Sequence, residues 1–579
     1  MSKPSLKASG LMLLAATAAA LLSACGGGGS ASPTASAYIA PTASCATLAK
    51  AALAPYSVTI DTASEKSYAA TQTTPAGGYC DVTGVVDPRT GVTDPDSGSN
   101  SYGDDFELQL PDQWSGRFLY LGGGGLDGAV VLTPRENNST TYYVSQGFAV
   151  VASNGGHEGA TPFDAGFGFD PQARLDYGYA SIGEVTPVAK ALVQDYYAQA
   201  PHYSYFIGAS KGGNEALQAA QRYGDEFNGV VAGDPGMQLS KAAVAEAWND
   251  QIFAQAATAV APGAVDASGN PLLWDSFSTS DLTLVSNYIL GKCDALDGLS
   301  DHLIFDTAAC AAQTFDFTTL QCAGAKQNGC LIPAQITALN KFFAGATGSG
   351  GNPLYAPFPH DAGIMSPGWA AWTIGSNPGA NVNDSLNALI APSAEGEVFA
   401  FPPQQHLNLF TANLDQLAEE NSATGIDPNS GISYPVSSND FMAADSTDYS
   451  KLLANHGKLI IYQGMSDPVF SADNIISYYK SLSSIYGSST QGFARLFLVP
   501  GMNHVSGGDD TVDGFDYVGA IEDWVEKGVA PAYMVATPMT PATSSLPAGL
   551  TRPLCAYPTY ARYDGSGDVN SYTSFSCSN

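Results

Sequence analysis

A serine pinched between glycines, Gly208-Ala209-Ser210-Lys211-Gly212, constrains this 579-residue chain more than any other feature. An apolar, β-prone stretch, Tyr205-Phe206-Ile207, leads into it, and a helix-forming run from Asn214 to Gln221 leads out. Strand, tight turn and helix in succession hold a serine in a strained conformation, its Oγ exposed above a sheet and a helix N-terminus beneath it. Side chains in place of the two glycines would clash in so tight a turn. A chain with 62 glycines produces this pattern by chance, so its meaning comes from its flanks and from what lies downstream.

A nucleophilic serine needs a base, and the base needs a group that fixes its tautomer. Of the seven histidines, His504 follows an apolar stretch, Phe497-Leu498-Val499, that breaks at Pro500-Gly501 into a loop. One strand earlier, Lys458 to Tyr462 is followed by the loop Gln463-Gly464-Met465-Ser466-Asp467. The interval between Asp467 and His504 holds one crossover helix, around 475–482, and the next strand. The order Ser210, Asp467, His504 predicts nucleophile, orienting acid and base at strand ends of one sheet. An oxyanion hole needs two backbone N–H groups. One is expected from Lys211. The other is expected from the glycine run that follows the strand Arg117 to Leu121: from Gly125, with Gly124 as the alternative. The run matches neither a dinucleotide-binding nor a P-loop motif.

Twenty-two basic against 54 acidic residues, a net charge of −32, exclude nucleic acid as a partner, because phosphate contact needs clustered Lys and Arg. Lys3 and Lys7 precede a short apolar run, Leu11 to Leu22, and Leu22-Ser23-Ala24-Cys25 matches a bacterial lipoprotein cleavage box. Residues 1–24 are therefore expected to be a signal peptide, with Cys25 carrying a lipid anchor and 25–44 serving as a flexible tether. The expected location is the outer membrane, periplasm or medium of a Gram-negative bacterium. Eight cysteines remain: Cys45, Cys80, Cys293, Cys310, Cys322, Cys330, Cys555 and Cys577. An even number in an exported chain predicts disulfides. Their clustering favours sequential pairs without fixing the connectivity. None has CxxC spacing or a neighbouring histidine, so zinc is not expected.

Residues 45–236 and 455–579 carry the strand-and-loop pattern and are expected to form one α/β catalytic domain. Residues 237–454 differ in character and are expected to be a lid inserted between the nucleophile and acid strands. They hold Trp248, Trp274, Trp369 and Trp372, which would line an aromatic pocket or form the lid's own core. They also hold Asp294, Asp297 and Asp301, with Gly298 between. That spacing suits either a hard cation such as Ca²⁺ or a solvated acidic turn; it is not an EF-hand, which needs a terminal Glu.

These motifs resemble the tannase/feruloyl esterase family of α/β-hydrolases. The likeness runs over nearly the whole chain after the signal and is carried by Phe169 to Asp176, Tyr205 to Gly208, Gly229 to Gly233, Ile289 to Gly298, Gly464 to Asp467, Gly492 to His504 and Thr551 to Cys555. It implies a triad on Ser210, Asp467 and His504 and oxyanion donors on Gly125 and Lys211. It also implies a pocket tryptophan at Trp372 and a lid Ca²⁺ held by Asp294, Asp297 and Asp301 with the backbone oxygens of Leu299 and Leu303. The implied disulfides are Cys45–Cys80, Cys293–Cys310, Cys322–Cys330 and Cys555–Cys577. The implied activity is a monomeric serine carboxylesterase, without organic cofactor, acting on small esters of aromatic acids: mono(2-hydroxyethyl) terephthalate or related esters, or alternatively feruloyl, chlorogenate or gallate esters. A non-catalytic surface binding protein on the same scaffold is the reading from another class.

Two departures stand out. The family commonly joins the residue before the nucleophile to the residue after the histidine by a disulfide; here these are Ala209 and Val505. Family members that bind an acid-bearing substrate through a lid arginine have it in the stretch matching 383–392, which here has no Arg or Lys. Lys211 is then the expected substitute for the carboxylate contact.

Overall fold

Nine strands form one sheet whose central members are buried on both faces. In chain order they are β1 (Val58–Tyr68), β2 (Gly77–Thr90), β3 (Ser101–Pro111), β4 (Arg117–Leu121), β5 (Phe148–Ser153), β6 (Tyr203–Ala209), β7 (Gly229–Gly233), β8 (Lys458–Gly464) and β9 (Ala494–Val499). Their spatial order is β1-β2-β3-β5-β4-β6-β7-β8-β9. The first three strands and β5 pair antiparallel, and from β5 to β9 every pairing is parallel. The computed structural model describes residues 38–134, 139–159, 161, 163–377, 379, 381–539 and 544–579. The expected signal peptide, Cys25 and the tether up to residue 37 lie outside the described residues.

Parallel strands covered on both faces read as near-continuous apolar runs, and β5, β7 and β8 do. Alternation still decides which core each residue joins. Leu459 and Ile461 point to the cluster built with Val185, Leu192, Leu217 and Ile475. Ile460 and Tyr462 point to the opposite cluster, with Ile521 and Trp524. The first face is covered by α1 (Ser181–Tyr197) and α2 (Lys211–Arg222).

Between β7 and β8 the chain leaves the sheet. The inserted segment opens with α3 (Leu239–Val260) and later includes α4 (Pro367–Thr373) and α5 (Leu386–Ser393). It has its own apolar core, centred on Phe253, Phe342 and Trp369, which pack edge-on or tilted at centroid distances of 5.4–5.9 Å. Val469 and Phe470, from the loop after β8, join this core, so insertion and sheet share residues, and 38–579 form one compact unit. The return crossover from β8 to β9 runs through α6 (Ala472–Tyr486), longer than the helix expected at 475–482. The arrangement is an α/β-hydrolase sheet with an inserted lid.

The four disulfides pair as the resemblance implies: Cys45–Cys80, Cys293–Cys310, Cys322–Cys330 and Cys555–Cys577. Such a set fits an exported chain. No helix among the described residues is long and apolar enough to cross a membrane.

Candidate active site

The C-terminal ends of β4, β6, β8 and β9 converge on one cavity, as expected where ligands bind open α/β sheets. Ser210 stands between the end of β6 and the start of α2 with φ 62° and ψ −123°, a region that non-glycine residues avoid. Such strain costs about 1–3 kcal/mol and persists only where the surroundings impose it. Here the surroundings are glycines. A Cβ on Gly208 would come within 2.2 Å of the Gly212 carbonyl oxygen, and one on Gly212 within 2.6 Å of the Gly123 carbonyl oxygen. The elbow and the glycine loop after β4 therefore interlock backbone to backbone.

The His504 Nε2 lies 2.8 Å from the Ser210 Oγ, and its Nδ1 lies 3.0 Å from the Asp467 Oδ2. The other oxygen of Asp467 accepts N–H bonds from Val469 (2.8 Å) and Phe470 (3.1 Å), and Gln463 Nε2 donates to Oδ2 at 3.2 Å. Asp467 is buried. Asp234, at the end of β7, braces this loop by accepting from the Gln463 side chain and the Gly464 N–H. Trp372 and Phe470 approach the imidazole edge-on, at 4.8 and 5.1 Å between centroids.

Ala209 and Val505 leave this site without the expected family staple, and Val505 sits at φ 67°. The lid holds the loops instead. The Asp361 carboxylate accepts from the Gly501 N–H at 2.9 Å and the Ser466 hydroxyl at 2.5 Å. Asn503 donates to the Gly363 and Ser466 carbonyls, and Ser366 donates to Asn503. Lid residues 361–366 thus buckle the acid loop to the histidine loop. Sequence reasoning missed this buckle, since nothing in the lid marks Asp361 or Ser366 as partners of a loop so far along the chain.

Gly125 and Lys211 both line the cavity beside Ser210. Lys211 opens α2, where the helical ladder leaves N–H groups without an intrahelical partner. The Gly125 carbonyl points away and accepts from the Tyr177 hydroxyl at 3.1 Å.

The Lys211 side chain does not face substrate. It is 1 % exposed; its ammonium bonds Glu215 Oε1 at 2.6 Å, lies 3.5 Å from Asp127 Oδ2 and sits 4.3 Å from the Tyr177 ring centroid. Glu215 in turn accepts the Gly123 N–H at 2.8 Å. Facing carboxylates raise the lysine pKa against the effect of its burial, so the ammonium keeps its charge. The expectation that Lys211 replaces the missing arginine is therefore corrected. Its i,i+4 partner and Asp127 draw the ammonium behind the glycine loop, where it braces that loop. Glu215 was readable as the i,i+4 partner of Lys211, but Asp127 and Tyr177 carried no sequence signal, because only the fold brings them to it.

Of the four lid tryptophans, Trp372 lines the cavity and Trp369 belongs to the lid core. Trp248 packs against that core from its edge, and Trp274 lines a separate lid hollow. From the stretch where an arginine was sought, Ile390 faces the cavity. Tyr177, Ala394, Phe399, Val469, Phe470, Leu126, Leu239, Ala243 and Glu246 complete the described lining of the cavity.

The acidic loop lies apart from this cavity, bracketed by the Cys293–Cys310 disulfide. Its carboxylates turn inward. Asp294 Oδ1 accepts the Asp301 and His302 N–H groups, and Asp297 accepts those of Leu299 and Phe305. Asp301 accepts the Leu303 N–H and pairs with the buried Arg552 guanidinium. Burial, and then the neighbouring Asp301 and Asp294, push the Asp297 carboxyl up to about 7. Among the described residues no three His, Cys, Asp or Glu side chains gather tightly enough to hold a metal by themselves. The Leu299 and Leu303 carbonyls accept no hydrogen bond from any described residue, so the loop has oxygen donors of the kind a hard cation takes.

Comparison with known proteins places the chain in a family and agrees with its fold. A family model described as tannase and feruloyl esterase matches residues 80–578. The chain is 40 % identical over 525 residues to the mono(2-hydroxyethyl) terephthalate hydrolase of Piscinibacter sakaiensis, covering 86 % of this chain and 84 % of that one. Among solved structures, feruloyl esterase B from Aspergillus oryzae superposes with a TM-score of 0.70 at 22 % identity, over 92 % of this chain and 100 % of that one. The tannin acyl hydrolase of Aspergillus niger superposes with a TM-score of 0.64 at 20 % identity, over 90 % of this chain and 92 % of that one.

Proposed function

The chain belongs to the tannase and feruloyl esterase family and is a carboxylic ester hydrolase, and from that premise we propose that it cleaves esters of aromatic acids by an acyl-enzyme mechanism on Ser210. The observation that carries this is the unbroken hydrogen-bonded series from Ser210 Oγ through His504 to Asp467 at the floor of an aromatic cavity.

His504 Nε2 takes the Ser210 proton as Oγ attacks the ester carbonyl. The Gly125 and Lys211 N–H groups receive the oxyanion, each contributing on the order of 10²-fold in rate. His504 then protonates the departing alcohol. Water, activated by the same imidazole, adds to the acyl-enzyme and releases the acid, restoring Ser210. Asp467 holds the imidazole in the tautomer this requires.

The substrate's non-reacting end is neutral. Lys211 is the one Lys or Arg among the described residues lining the cavity, and its ammonium is engaged behind the glycine loop. Among the described residues a mono-acid ester such as mono(2-hydroxyethyl) terephthalate therefore meets no free cation for its carboxylate, and this supports the neutral bis-ester or feruloyl and gallate esters as substrates beside it.

In the lid, spanning residues 237–454, Asp294, Asp297 and Asp301 with the Leu299 and Leu303 carbonyls would hold a structural Ca²⁺. It would neutralise their mutual repulsion and take no part in the reaction. Export with a lipid on Cys25 is the reading of the N-terminal segment.

The test is hydrolysis by the mature protein and by Ser210→Ala of mono(2-hydroxyethyl) terephthalate, its bis-ester, methyl ferulate, methyl gallate and p-nitrophenyl acetate. The expected result is loss of about 10⁴-fold or more in kcat for Ser210→Ala and slower turnover of the mono-acid than of the bis-ester. Full activity in the variant would contradict the mechanism, and preference for the mono-acid would contradict the neutral-substrate reading.

A further inference from the structure

Helix α3 sends three side chains into the cavity from one face: Leu239, Ala243 and Glu246, spaced i, i+4 and i+7. The first two suit an apolar wall and the third does not. Glu246 is 9 % exposed and makes no hydrogen bond or ion pair with any described residue. Three carboxyl groups lie near it from three directions: Asp250 one turn along α3, Glu395 from the turn after α5, and Asp467 from the acid loop. The Tyr177 and Tyr355 hydroxyls also lie within its field. Burial, with these acids, drives its pKa well above the ordinary carboxyl value, so it keeps its proton.

Its neighbours show what sets it apart. Both oxygens of Asp250 and one of Glu395 are sealed in protein without a partner, whereas the Glu246 carboxyl borders the reaction cavity. A protonated carboxyl offers one donor and an acceptor, the complement of a hydroxyl group, which is also both. With no described residue competing, a substrate hydroxyl placed there satisfies a buried group that these residues leave unpaired. Trp372, Phe399 and Phe470 supply flat apolar walls for the ring that would carry it.

We propose that Glu246 is a specificity-determining residue that hydrogen-bonds a phenolic hydroxyl on the substrate's aromatic ring, so that the cavity selects esters of hydroxylated aromatic acids over their O-methylated counterparts. This rests on the esterase reading above.

The experiment compares kcat/KM of the mature protein for two matched pairs: methyl caffeate with its di-O-methyl ether, and methyl gallate with its tri-O-methyl ether. Each is measured with wild type, Glu246→Gln and Glu246→Leu, and labelling by a fluorophosphonate probe reports an intact nucleophile. Wild type is expected to favour the free phenol by about tenfold or more. Glu246→Leu brings the ratio close to unity, and Glu246→Gln, whose amide still donates and accepts, retains most of it. An unchanged ratio in a Glu246→Leu protein that labels like wild type overturns the proposal. So does a wild type that treats phenol and ether alike, an outcome that needs no variant to fold. A wild type inert to the probe and to every ester overturns the esterase reading itself, and the proposal with it.

Discussion

The triad on the sheet wall of the cavity and the glutamate on its lid wall differ in how far the protein satisfies them. On the sheet side each reacting group is already bonded: His504 to Ser210 and Asp467, Asp467 to two backbone N–H groups, and the glycine loop to Glu215 and through it to Lys211. On the lid side the Glu246 carboxyl, which borders the cavity, makes no hydrogen bond or ion pair with any described residue. Groups that must be in place before substrate arrives are fixed by the protein. Under the proposal above, the Glu246 carboxyl is left for substrate to satisfy, at a cost in stability.

Removing a partner on the satisfied side has the largest expected effect on stability. Lys211→Met would leave Asp127 and Glu215 buried without their cation, a change that typically destabilises by about 3–5 kcal/mol. Thermal melting should show the loss, with a lowered kcat as the glycine loop slackens. The ratio of activity on acidic to neutral esters should not change, because the ammonium does not reach substrate. A variant that selectively loses acidic substrates would break the contrast between the walls.

A smaller effect is expected within the lid. If Ca²⁺ relieves the repulsion among Asp294, Asp297 and Asp301, EDTA should lower the Tm of a calcium-loaded preparation and added Ca²⁺ restore it. No shift on chelation would count against the Ca²⁺ reading.

The last concerns Glu395, whose carboxyl is raised by burial to about 8. The unfolded chain loses this proton near the ordinary value, well before the folded one does. Between these values the folded state binds more protons, and stability falls as pH rises. Glu395→Gln cannot titrate. Its Tm relative to wild type should therefore climb from pH 4 to pH 9, by roughly 4 °C. A constant difference across that range would mean that Glu395 is not the buried neutral acid described.

The same contrast governs what could be read from the chain. Ser210, Asp467, His504 and the glycine run were legible because each follows a strand directly, so their order in sequence is their order along the sheet edge. Much of the parallel part of the sheet was legible for the same reason: β4, β6, β7, β8 and β9 are short apolar runs with turn residues after them, whereas β1 is long and largely exposed and carries no such signal. The lid was not. Which tryptophan faces substrate depends on how α4 packs, and Trp369 and Trp372, three residues apart, ended in different places. Glu246 sits in a helix where a glutamate normally marks a solvated face, and only the closure of the lid buries it. The Lys211 side chain was misplaced in the sequence reading, because its orientation is set by Glu215 together with Asp127, which lies outside its helix.

The central claim is that Ser210 is the nucleophile, activated by His504. Intact-mass and peptide analysis after fluorophosphonate treatment tests it most directly. The prediction is one adduct, on Ser210, formed far more slowly in His504→Ala and absent in Ser210→Ala. An adduct on another residue, or unchanged labelling in Ser210→Ala, would contradict it.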